Sequence, residues 1–91
     1  SWRILFSIAN VFSYNEYFKE AIQMWQKTFD CMPKPRYTDS FEAMAQCCVR
    51  MGDHESAVEY YKKELELLRE DWGLKYGAEV DALEEKIRAL Q

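Results

Sequence analysis

Displaced by 36 residues, the sequence falls onto itself. Leu5 meets Phe41, Ile8 meets Met44, Ala9 meets Ala45 and Phe12 meets Cys48. Further on, Phe18 meets His54, Ala21 meets Ala57, Ile22 meets Val58, Trp25 meets Tyr61 and Phe29 meets Leu65. Core-type residues matched over that span are more than chance alignment supplies. A unit of this length cannot bury its apolar face alone, so the chain must stack neighbouring units to make a core.

Each unit reads as two antiparallel helices. The first is predicted at about Trp2–Ser13, with Leu5, Ile8, Ala9 and Phe12 at helical spacing. A break at Tyr14-Asn15-Glu16 leads into a second, near Tyr17–Cys31, striped by Phe18, Ala21, Ile22, Trp25 and Phe29. Met32-Pro33-Lys34-Pro35 ends it, because proline lacks the amide hydrogen and restricts the residue before it. Thr38-Asp39-Ser40 offers N-caps for a third helix at about Ser40–Met51. Gly52 stops that helix, and Asp53 caps a fourth that begins near His54 and runs to Trp72, before Gly73. Ala9, Ala21, Ala45 and Ala57 stand at matched places, which points to close helix crossings where small residues let backbones approach. A fifth helix, about Ala78–Leu90, carries Val80, Leu83, Ile87 and Leu90 on one stripe and Glu79, Asp81, Glu85, Lys86 and Arg88 on the other. With Glu84 where a unit wants a small residue, it reads as a terminal cap; the rival reading is the first helix of a further unit.

Charge and cysteines remove several function classes. Net charge is −4, with six acids and six bases in residues 1–54 but ten acids and six bases in residues 55–91. That balance argues against phosphate-backbone binding, which needs clustered Lys and Arg. No apolar run approaches the roughly 20 residues that span a bilayer, and Trp2 to Phe12 lack a basic leader and a cleavage site. Cys31, Cys47 and Cys48 are odd in number, and the adjacent pair diverges around a helix, so free thiols in a reducing compartment are expected. His54 is the single histidine. A metal site or a Cys48–His54 dyad is outweighed by a buried structural cysteine and a packed histidine. Glu64, Glu66, Glu70 and Asp71 read as one solvated face. No cofactor or catalytic group is expected.

The motif Leu5-x2-Ile8-Ala9-x2-Phe12, then Ala21-x3-Trp25 and Pro33, recurs as Phe41-x2-Met44-Ala45-x2-Cys48 and Ala57-x3-Tyr61. It resembles the tetratricopeptide repeat family over about residues 2–68, most closely at Gly52 to Tyr61. It departs from the family in its period of 36 where 34 is commonest, and in Arg69 where a proline would stand. The long fourth helix is similar to longer-period relatives of the kinesin-light-chain or G-protein-modulator kind.

The resemblance implies an all-α, right-handed α-solenoid of two helix-turn-helix repeats (about 2–35 and 38–72) plus the helix at about 78–91. It also implies a groove lined by the first helix of each repeat. Arg3, Phe6, Asn10 and Ser13 would point into it from the first unit, and Asp39, Glu42, Gln46, Val49 and Arg50 from the second. The bland alternative is that these are simply the solvated sides of two helices. One family subset grips a C-terminal carboxylate with Lys and Asn in one unit and Asn in the next; Asn10 matches, but Phe6 and Ala43 replace the others, so that function is not carried over. The expected function is an interaction scaffold, cytoplasmic ahead of nuclear, holding a peptide or helix of another protein. Self-association is the alternative, with RNA stacking on the aromatics less favoured.

Overall fold

The computed structural model describes residues 1–91, and every regular element in it is a helix: α1 (Trp2–Tyr14), α2 (Phe18–Asp30), α3 (Asp39–Arg50), α4 (His54–Trp72) and α5 (Ala78–Leu90). Local chemistry sets the ends. Asp53 accepts from the Ser56 amide and caps α4, and Ser1 does the same for α1 through the Arg3 amide. Thr38 stands at the N-cap of α3 but makes no side-chain cap bond, so that expected signal marks a position only.

The repeat is visible in the turns as well as in the stripes. Between α3 and α4, Gly52 takes φ +79° while the Asp53 amide bonds the Cys48 carbonyl at 2.8 Å. Between α1 and α2, Glu16 takes φ +66° while the Tyr17 amide bonds the Phe12 carbonyl at 2.8 Å. Glu16 and Gly52 are 36 residues apart, so one left-handed position recurs, with a glycine in one unit and a strained glutamate in the other.

Helices α1, α3 and α5 form one layer and α2 and α4 the other. The shortest extent of the Cα trace is 16 Å, which is two helices deep at the usual interaxial distance of about 8–10 Å. Ala9, Ala21, Ala45 and Ala57 are all fully enclosed, as their matched positions predicted. Replacing Ala57 with Leu is expected to cost about 1–3 kcal/mol by overpacking this crossing. A mutant that melts within a degree of the parent would overturn the assignment.

Two apolar clusters lie between the layers. In the first, Phe29 packs against Phe41 at 4.4 Å between ring centroids, tilted by 45°, with Trp25, Met44, Cys47 and Leu67 around them. In the second, Val80, Leu83 and Ile87 of α5 cover Val58, Tyr61 and Leu68 of α4. The α1 stripe is less covered than expected. Ala9 alone is buried on that helix, and Ile8 is 38% exposed beside Ile4 at 63% and Val11 at 61%. The outer side of α1 has no neighbouring layer, whereas α3 lies between α2 and α4.

The connection between the units is tied down. Arg36 donates its backbone amide, Nε and Nη2 to Asp71 near the end of α4, at 2.9, 2.9 and 3.1 Å. The Trp72 indole donates to the Arg36 carbonyl at 2.7 Å, and the Tyr37 amide donates to the Met32 sulfur. This clasp holds the Asp71 carboxyl down at about 2, chiefly through the hydrogen bonds from Arg36. It also pushes the Arg36 guanidinium up.

Candidate functional site

Burial confines the open surface of α3 to one strip. Ser40, Phe41, Met44, Ala45, Cys47 and Cys48 face the two clusters, which leaves Asp39, Gln46, Val49 and Arg50 exposed and Glu42 half-buried. All five are among the residues expected to line a groove. Gln46 donates to Glu42 at 3.4 Å, one turn back along the helix.

On α1 the expected set divides. Arg3 and Asn10 are exposed, with the Arg3 guanidinium 4.7 Å above the Trp2 ring. Phe6 is half-buried and meets Trp25 edge-on at 6.5 Å, so its ring belongs to the first cluster. Ser13 is half-buried too, and its hydroxyl lies 3.7 Å from the Cys47 sulfur. Arg50 bridges the units: it donates to the Ser13 carbonyl at 3.4 Å, approaches Glu16 at 3.6 Å, and lies 4.6 Å above the Phe18 ring.

Two carboxylates depart from the expected solvated face. Glu64, placed on a solvated face with Glu66, Glu70 and Asp71, is 4% exposed, and its Oε1 has no hydrogen-bond partner. Desolvation pushes its carboxyl up to about 8, with Glu42, Glu79 and Asp39 adding to the rise and Lys86 opposing it. Asp71 is enclosed by its clasp with Arg36. Lys86 is exposed, as expected for the watery side of α5, and from there it bonds Glu42 at 3.3 Å and lies 5.5 Å from the centre of the Tyr61 ring. A signal for Glu64 was present: it stands three residues after Tyr61 and four before Leu68, inside the buried stripe.

The thiols are free. Cys47 and Cys48 are buried, and burial pushes both up, Cys48 to about 11. His54 is exposed at the start of α4, so the expected packed histidine is corrected: Phe18 takes a cation over its ring at the matched position, and His54 has no such cover. In native buffer a maleimide is expected to label exposed Cys31 rapidly, and Cys47 and Cys48 only on opening of the core. Equal rates at all three would contradict this packing.

No helix is long and apolar enough to cross a membrane. A family model described as a tetratricopeptide repeat matches residues 40–71, which are α3 and nearly all of α4. The α1–α2 pair, outside that match, repeats the same hairpin and the same turn. No curated protein matches the chain.

Proposed function

We propose that this tetratricopeptide repeat protein holds a peptide or helix of a partner along the layer formed by α1, α3 and α5. Tetratricopeptide repeats generally mediate protein–protein interaction. The observation that carries the reading is the strip on α3. A helix buried on its other sides keeps Asp39, Gln46, Val49 and Arg50 open, while Arg3 and Asn10 are open on α1. Such a strip offers one exposed apolar group among groups that donate and accept hydrogen bonds, which suits a polar, shape-matched contact.

The test is comparative capture of binding proteins from cells that make the protein. Gln46→Lys with Val49→Glu should lose the bound partner, whereas Gln23→Lys, on the exposed side of α2, should retain it. Binding to the purified partner is then measured with the same variants. Equal retention by all of them counts against the groove.

Self-association is a second reading, and one observation favours it. Ile4, Ile8 and Val11 make an open apolar stripe along α1, at the spacing with which helices pair. Gel filtration over a range of concentrations, with Val11→Glu as control, decides whether the stripe pairs two copies.

A further inference from the structure

At the end of the layer where α3 and α5 begin, the fold leaves an open cavity of about 430 Å³. Its walls include Tyr37 and Trp72, Leu68 and Leu74, and the carboxylates of Asp39 and Glu79. The two rings are 6.2 Å apart between centroids and tilted by 30°. Both are about half exposed, and Trp72 is fixed by its bond to the Arg36 carbonyl, with Arg36 itself fixed by Asp71.

We propose that this cavity receives an arginine side chain of the partner, its guanidinium against Tyr37 and Trp72 and its N–H groups on Asp39 and Glu79. The inference deepens the groove reading and rests on it, since Asp39 belongs to both surfaces.

Four observations support it. Neither Asp39 nor Glu79 is engaged in an ion pair within the chain, whereas Glu42, Glu85 and Asp71 each are. The surroundings are negative. The N-termini of α3 and α5 lack side-chain caps and contribute about half a positive charge each, which two full carboxylates outweigh. The buried Glu64 carboxyl, raised chiefly by desolvation, takes a further small rise from Glu79 and Asp39. The aromatic component suits a flat cation, because a guanidinium is weakly hydrated, stacks on rings and forms paired hydrogen bonds to carboxylates. At 6.2 Å the rings are too close for a guanidinium between them, which needs about 7 Å, so it lies across both on their open side. The same pairing already occurs within the chain, where Arg36 lies 4.6 Å above Phe29 and Arg50 4.6 Å above Phe18.

The experiment titrates the nitrogen-15-labelled chain of residues 1–91 with the peptide acetyl-Gly-Gly-Arg-Gly-Gly-amide and follows the indole N–H signals of Trp2, Trp25 and Trp72. The Trp72 signal should move and that of buried Trp25 should stay. A peptide with citrulline for arginine, equal in shape but uncharged, should bind at least about tenfold more weakly. Asp39→Asn with Glu79→Gln should weaken the arginine peptide to a similar degree, with an unchanged circular dichroism spectrum to show that the fold is kept. Equal binding of the citrulline peptide, a silent Trp72, or full binding by the folded double variant overturns the assignment. Any of these, found alongside partner capture that still depends on Gln46 and Val49, rejects the cavity and leaves the groove standing.

Discussion

Removing residues 76–91 should leave a chain that aggregates or loses most of its helical signal, far beyond the loss of α5 itself. Val80, Leu83 and Ile87 are buried against Val58, Tyr61 and Leu68, in a cluster to which α3 contributes only Ala45 among the buried residues. Each of the three side chains contributes roughly 1.5–3 kcal/mol of burial, against a total stability of about 5–15 kcal/mol for a domain. The Lys86 contacts to Glu42 and Tyr61 go as well. One effect runs the other way: water regains Glu64, whose ionisation then costs less. The apolar loss is larger, so the net outcome is unfolding. Far-UV circular dichroism and sedimentation of residues 1–75 measure it. A soluble, monomeric, cooperatively melting fragment would show that α5 does not complete the second cluster.

Stability should also fall as pH rises from 4.5 towards 8, and Glu64→Gln should remove most of that fall. The carboxyl titrates near 4.5 when unfolded and about 8 when folded, so folding takes up a proton between these values. Its contribution is therefore intact below pH 4.5, declines through neutrality and levels off above about 8. At about 1.4 kcal/mol per pH unit, the loss by pH 7 is on the order of 3 kcal/mol. In a domain of this size that is a drop of roughly 12–25 °C in melting temperature. The groups facing Glu64 are Asp39 and Glu42 from α3 and Glu79 and Lys86 from α5. On the acid side the sign reverses. Asp71, held at about 2 against an ordinary 3.8, contributes stability that is present above 3.8 and lost as pH falls towards 2. Thermal melts at pH 2.5, 4.5, 7 and 8.5 test both branches. Parallel pH profiles for the parent and the glutamine variant would refute a neutral, buried Glu64.

The helices and their pairing were legible because apolar spacing, proline and capping residues act within a few positions of one another. The four alanines were legible for the same reason, since a self-comparison puts them in register. Single charged residues were less so. Glu64 stands in the Tyr61–Leu68 stripe, while Glu66, two positions on, lies about 200° round the helix and is open. Periodicity separates them; that a carboxylate could occupy the stripe is what the pattern did not suggest. The enclosure of Asp71 was set by Arg36, 35 positions away, and the ion pair of the exposed Lys86 by Glu42, 44 positions away, both beyond any local pattern. His54 inherited an expectation from Phe18, but the cover over Phe18 comes from Arg50 on the following helix. The candidate strip on α3 was legible as a face, and its membership on α1 was read less well, because Phe6 turned out to serve the core. The cavity between Tyr37 and Trp72 needed the loop and α4 to be brought together, which periodicity does not encode.

The clasp between Arg36 and Asp71 bears on how a protease would meet this chain. The segment from Met32 to Tyr37 joins two units and is largely exposed, the usual place for nicking. Its two basic residues look like openings for trypsin. Lys34 is followed by proline, which trypsin does not accept, and the Arg36 side chain that would enter the enzyme's pocket is already spent on Asp71. Cleavage there must wait for the clasp to open, so the joint between the units should outlast lysines on the open helix faces, and Asp71→Asn should make it the first bond cut.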